Sequence, residues 1–230
     1  MTQSNDPSGW DEYWNRKDRP SGKVYDLIAT AYRTLVIRRN LESAIFRAFR
    51  DGSSLLHAGC GSGGVDTRLH ERMSITAVDT STTALRRYRE LNPRAVEVRE
   101  ANIFSLPFPD ATFDGAYNLG VMEHFTVEEI VAILTELARV TKPDAKLVIF
   151  WPHARATSVA VLHVAHRILR LTSKGPTALH PPEISLVRSR KWVEGILSAA
   201  GLTLHRYSFG ARDLFVQAVI VAGKTPTQSR

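Results

Sequence analysis

The 230-residue chain contains one cysteine, Cys60. A single thiol excludes an intrachain disulfide framework and any multi-cysteine zinc site. No apolar run approaches the roughly 20 residues of a membrane-spanning helix, so no membrane span is expected. The first residues, Met1 to Gly9, lack the charged-then-apolar pattern of a secretory leader, and the expected location is cytoplasmic. Histidines 153, 163, 166 and 180 come without an acidic cluster. They give no metal-ligand pattern, so no metal is expected. A long basic run interleaved with aromatics is also missing. The formal net charge of +7 leaves room for an acidic partner, yet Arg38-Arg39, Arg86-Arg87 and Arg188-Ser189-Arg190-Lys191 are scattered. They read as solvated faces, and no stable nucleic-acid partner is expected.

What the chain does have is the stretch Leu55-Leu56-His57-Ala58-Gly59-Cys60-Gly61-Ser62-Gly63-Gly64. It reads as a short apolar strand entering a glycine turn that opens a helix. Glycine suits positions of positive φ or close backbone approach to a ligand, and a helix N-terminus offers N–H groups to polar or anionic atoms. Gly59, Gly61 and Gly64 also satisfy the dinucleotide spacing G-x-G-x-x-G. The loop alone therefore leaves a nicotinamide cofactor and an adenosine-type cofactor equally open. Asp79, at the end of the next apolar run, serves either one by accepting ribose hydroxyls; its alternative is a helix-capping aspartate.

Around this loop the pattern alternates between strand and helix. Strands are expected at 54–58, 74–79, 95–99, 113–118 and 146–151. Helices are expected at 63–72, 81–91 and 128–140, with a turn at Lys142-Pro143-Asp144. A last helix at 190–200, ended by Gly201, precedes strands at 202–209 and 214–221 whose short link implies an antiparallel pair at the sheet edge. The predicted fold is an α/β doubly wound, mainly parallel seven-stranded sheet with an antiparallel edge hairpin and helices on both faces. Residues 1–52 read as an N-terminal arm and helical lid, with Trp10, Tyr13 and Trp14 docked and a helical pattern from Val24 to Phe49. Residues 53–230 form the main domain. A helical insertion is expected at about 152–188, including an amphipathic helix over 157–171.

Further motifs follow at ordered spacings. Asn102-Ile103-Phe104-Ser105-Leu106-Pro107-Phe108-Pro109-Asp110-Ala111-Thr112-Phe113-Asp114 leads into the fourth strand, and Tyr117-Asn118-Leu119-Gly120-Val121-Met122-Glu123-His124 leaves it. Here the sequence resembles the Rossmann-like class I S-adenosylmethionine-dependent methyltransferases, especially their quinone and small-molecule branch. That branch typically shows a D/E-x-G-x-G-x-G loop, an acidic end to the second strand, a D-x-x-x-L-P-F-x-D-x-x-F-D segment and a Glu-His ending. The resemblance spans about 53–151. It implies that S-adenosyl-L-methionine is the cofactor and that Gly59, Cys60 and Gly61 pass close to its methionine and ribose parts. Asp79 would hold the ribose hydroxyls, with Thr80 beside the adenine and Asn102 and Ile103 lining the adenine pocket. Asn118 and Leu119 would lie by the methionine carboxylate, amine and sulfonium. Two residues depart from the pattern. His57 stands where the family carries the acid that holds the amine, and Asn102 replaces an aspartate while keeping an acceptor oxygen. A neutral His57 accepts from an ammonium group and a protonated one repels it, so cofactor binding is expected to depend on pH.

His124, at the carboxyl end of the fourth strand, is the candidate general base; its alternative is a packing role. Tyr25, Tyr32 and Arg33 are candidates to close over the site. The expected reaction is methyl transfer to an O, N or C nucleophile of a small-molecule acceptor. The insertion is where this architecture would build an acceptor pocket; its 157–171 helix reads first as packed on the sheet, with contact to a lipid surface and a lipophilic acceptor as the alternative. The alternatives are a nucleic-acid or protein methyltransferase, a non-catalytic cofactor-binding protein and an NAD-dependent oxidoreductase. A base-flipping Asn-Pro-Pro-Tyr-type motif is missing from the fourth strand.

Overall fold

Short apolar runs such as Leu55-Leu56 and Leu147-Val148-Ile149-Phe150 form the inner strands of a computed structural model that describes residues 10, 11, 14, 33–156, 183–211, 215 and 217–226. The seven strands are β1 (Ser54–Ala58), β2 (Ser74–Asp79), β3 (Glu97–Glu100), β4 (Phe113–Leu119), β5 (Thr141–Pro152), β6 (Leu202–Ser208) and β7 (Gln217–Lys224). They form one sheet in the order β3-β2-β1-β4-β5-β7-β6. The pairs from β3 through β5 are parallel, whereas β7 runs antiparallel to both β5 and β6.

Helices α1 (Arg38–Ala48) and α2 (Thr82–Leu91) cover one face, and α3 (Val127–Val140) and α4 (Arg190–Ala199) cover the other. Strand alternation sorts the core between them. Leu55, Ile75, Tyr117, Val148 and Phe150 meet Leu41 and Ile45 of α1. Leu56, Ala116, Leu147, Ile149 and Ile220 meet Ile130, Ile133 and Leu137 of α3 and Val193 and Ile196 of α4. Local chemistry starts the helices where they start. Thr126 and Glu129 make a reciprocal capping box at α3. The Ser81 and Ser189 side chains cap α2 and α4, and Gly201, at φ +70°, follows α4.

Three expectations are corrected. No α-helix spans 63–72: turns run there, closed by a 3-10 turn at Leu69–Glu71. The cause is Asp66, which is drawn beneath β1 to bond His57 rather than left on a helix surface. Lys142-Pro143-Asp144 does not end an element either. It lies within β5, where the pairing with β4 jumps from Phe113↔Thr141 to Gly115↔Lys146. Finally, β7 begins at Gln217, later than 214. The helical pattern expected from Val24 is described only from residue 33, as a π-helical turn, Arg33–Ile37, leading into α1. Tyr13, Tyr25, Tyr32, the 157–171 helix and His163, His166 and His180 lie outside the described residues.

The strand order reverses direction between β1 and β4. Open parallel sheets carry their ligands in the crevice at such a reversal, beyond the carboxyl ends of the strands.

Candidate functional site

Gly59, Gly61 and Gly63 all adopt positive φ, at +72°, +52° and +63°. Each also lies against a neighbour that a side chain would strike. A Cβ on Gly59 would sit 2.7 Å from Val121, one on Gly61 2.7 Å from the Trp14 ring, and one on Gly63 2.2 Å from the Tyr88 ring. Gly64 has neither constraint. The glycines with a structural need are therefore spaced G-x-G-x-G. The dinucleotide reading needed Gly64 for close packing of a following helix, and that helix is not formed.

The loop is tied to β2. The N–H groups of Gly59 and Cys60 both donate to the Val78 carbonyl at 2.9 Å, and the Gly61 N–H donates to Asp79 Oδ2 at 2.8 Å. Asp79 Oδ1 accepts from the Ser81 N–H at 2.9 Å. One carboxylate thus bridges the glycine turn and the start of α2, and each of its oxygens keeps a lone pair for a further donor. Burial pushes the Asp79 carboxyl above its ordinary range, while the Ser81 and Gly61 N–H groups oppose that shift. The Ala101 N–H donates to the Asp79 carbonyl at 3.0 Å, which brings Asn102 and Ile103 alongside Asp79 and Thr80. The Asn102 side-chain oxygen accepts from the Phe104 N–H at 3.0 Å, and Ile103 is buried. Cys60 is buried against Ala77, Leu85 and Tyr88, and burial pushes its thiol well above the ordinary value.

His57 is built in beneath the loop. Its Nδ1 lies 2.6 Å from Asp66 Oδ2, and its ring stacks on Tyr117 with centroids 4.3 Å apart. A carboxylate partner makes Nδ1 the donor. The Tyr88 hydroxyl donates to the same Asp66 oxygen at 2.7 Å, and the Asn92 amide donates to the Gly63 carbonyl at 3.1 Å. His57, Asp66, Tyr88 and Asn92 therefore form a buried polar footing for the glycine turn. Sequence reasoning singled out His57 but missed Asp66 and Tyr88, because partners nine and 31 positions away show no periodicity.

Across the crevice, Asn118 ends fully buried with neither its Oδ1 nor its Nδ2 partnered, and Leu119 is half-buried beside it. Gly120, at φ +67°, then turns the chain into a 3-10 turn, Met122–His124. His124 meets the Trp10 ring edge-on at 5.1 Å, and its Nε2 is 3.9 Å from Glu123 Oε1. Burial raises the Glu123 carboxyl to about 8, with the charge of Glu183 adding to the rise. Glu123 was passed over in the sequence except as part of the Glu-His ending. Its carbonyl accepts from the N–H groups of Ile184 and Ser185 at 2.7 and 3.1 Å, which fastens the returning end of the 152–188 segment to this turn.

Three residues of the N-terminal arm lie on the same crevice. Trp14 covers Gly61, its carbonyl accepts from Arg87 at 3.1 Å, and the Arg87 guanidinium lies 5.8 Å from its ring centroid. Asp11 accepts from the Ser81 hydroxyl at 2.5 Å and the Thr83 N–H at 3.3 Å, an acid at the N-terminus of α2. Trp10 reaches His124. The docking expected of Trp10 and Trp14 is seen, while Asp11 gave no sequence signal.

Elsewhere, His153 stacks on Phe209 at 4.0 Å and its Nδ1 accepts from the Arg155 N–H at 3.0 Å. Among the described residues no helix is long and apolar enough to cross a membrane.

Residues 56–149 match the methyltransferase domain family. The chain is 37% identical over 100 residues to a probable S-adenosylmethionine-dependent methyltransferase of Mycobacterium tuberculosis, a match covering 43% of this chain and 35% of the relative. It is 35% identical over 114 residues to the 2-phytyl-1,4-naphthoquinone methyltransferase of Nostoc punctiforme, covering 44% of this chain and 47% of the relative. The chain thus spans about a third to a half of the length of these relatives. A solved methyltransferase from Aquifex aeolicus shares the fold with a TM-score of 0.61 at 22% identity, over 96% of this chain and 99% of that one.

Proposed function

We propose that the chain is a class I S-adenosylmethionine-dependent methyltransferase, a reading its match over residues 56–149 and its relatives support, and that it transfers a methyl group from S-adenosylmethionine to an O, N or C nucleophile of a small-molecule acceptor, leaving S-adenosylhomocysteine. The observation that carries this reading is the Asn118 amide, buried at the carboxyl end of β4 with both polar atoms unpartnered. Each unmet buried group costs about 1–3 kcal/mol, and a ligand bearing both a donor and an acceptor, as the methionine end of the cofactor does, would remove that cost. Asp79 retains lone pairs for two ribose hydroxyls, and Asn102 and Ile103 lie beside it for the adenine. The bound cofactor supplies a methyl group on a positively charged sulfur, already a good leaving group.

What remains for the chain is alignment, exclusion of water and, for an O or N nucleophile, removal of a proton. Trp14 and Trp10 shield the crevice from solvent, and His124 is the proton acceptor we assign. Glu123 is chiefly neutral at pH 7, so its carboxyl places little negative charge beside the imidazole. Replacing His124 by Ala is expected to lower kcat about 100-fold with cofactor affinity unchanged; unchanged turnover would make His124 a packing residue.

We place the acceptor beside the described ends of the 152–188 segment, where Ile184 and Ser185 bond the Glu123 carbonyl and the Val187 N–H donates to the Pro152 carbonyl at 2.9 Å. The naphthoquinone named for the Nostoc relative supports a lipophilic acceptor, and with it peripheral contact with a membrane surface. The reaction is tested by supplying methyl-labelled cofactor with pools of quinones, phenols and other small metabolites. Label is expected in a small molecule; label entering only RNA, DNA or protein would overturn the reading.

A further inference from the structure

On the face of the sheet that carries α1, a cavity of about 280 Å³ lies between that helix and the β7–β6 pair. Its floor is Val219 and Val221, and it is lined by Arg47, Lys146, His205 and Arg206 with no Asp or Glu among the described residues. Among the described residues none of these four basic side chains makes an ion pair. Lys146 donates to the Ala48 carbonyl at 3.4 Å, which uses one of its three N–H groups at the carbonyl end of α1.

The gathering of these groups is built into the strands. The β6–β7 pairing passes from Leu204↔Ala222 to Arg206↔Val221, so His205 is the extra residue of a bulge. In a regular strand His205 and Arg206 would point to opposite faces; the bulge re-aims them, and both line the cavity. Gly223 makes the arrangement fit, because a Cβ there would lie 2.6 Å from His205 Cε1. Like charges brought together repel, and an anion seated among them relieves the repulsion. Two arginine forks and an ammonium suit phosphate oxygens in particular, and the valine floor suits a short carbon body.

We propose that this groove is a second binding site for a ligand that carries a phosphate group on an apolar stem. It shares no residue with the cofactor crevice and does not depend on the methyl-transfer reading. The phosphate can come from a free metabolite or from a phospholipid headgroup, and the test separates the two. Glycerol 3-phosphate is titrated into the full chain by calorimetry, and binding is measured to vesicles of phosphatidylcholine with and without phosphatidic acid. Saturable glycerol 3-phosphate binding without vesicle binding assigns a free ligand; binding to phosphatidic acid vesicles alone, or to both probes, assigns the headgroup. In either case Arg47→Glu/Arg206→Glu is expected to weaken binding at least 10-fold with an unchanged melting temperature, and Arg206→Gln to weaken it by less. Failure of both probes to bind, equal binding to phosphatidylcholine alone, or an unweakened double variant would overturn the proposal.

Discussion

Replacing Asp79 by Ala is expected to lower S-adenosylhomocysteine affinity by more than about 100-fold, since hydrogen bonds to a charged group are worth about 1.5–3 kcal/mol each. Two effects combine. In the proposed binding mode the ribose hydroxyls lose their acceptors, and the Gly61 and Ser81 N–H groups lose the carboxylate that bridges the glycine turn to α2. Asp79→Asn separates the two, because an amide of the same size keeps one acceptor oxygen; its loss is expected to be nearer 10-fold. Calorimetric titration of both variants measures the ratio directly. Wild-type affinity in Asp79→Ala would make the carboxylate a purely local cap and remove it from the cofactor site.

The second large effect concerns Glu123, whose carboxyl is raised from 4.5 to about 8 by burial. Between those values the unfolded chain has released a proton that the folded chain still holds. Stability contributed by this group is therefore complete below about pH 4.5, falls as pH rises, and levels off above about pH 8. The loss across that window reaches up to about 5 kcal/mol. Glu123→Gln keeps the shape and removes the titration. Urea unfolding of wild type and variant at pH 5, 6.5 and 8 is expected to give a difference that moves steadily in favour of the variant. Other groups titrate in both proteins and cancel. Parallel stability curves would mean that Glu123 has an ordinary carboxyl and is solvated.

Much of the framework was legible because it rests on local chemistry. β1 and β2 fall on the residues expected of them, since their apolar runs end in a glycine turn and an aspartate. Ser81 and Gly201 mark helix ends by capping and by positive φ. The 63–72 stretch misled because a glycine turn after a strand leads the eye to a helix, while the deciding contact, Asp66 with His57, crosses elements. The same limit hid Asp11, whose partners Ser81 and Thr83 lie some 70 residues away. Asn118 was expected at the cofactor from its motif, but only the fold shows its amide buried without partners. The glycine loop gained most: close contacts at Gly63 and open space at Gly64 decide between two spacings that the letters alone left equal.

We propose that the crevice between β1 and β4 is the S-adenosylmethionine site. Calorimetric titration of the full chain with S-adenosylhomocysteine, and separately with NAD, tests it most directly. Saturable one-to-one binding of S-adenosylhomocysteine is expected, weakened in Asp79→Ala, with no heat of binding for NAD. Binding of NAD in preference to S-adenosylhomocysteine, or no binding of S-adenosylhomocysteine at millimolar concentration, would contradict it.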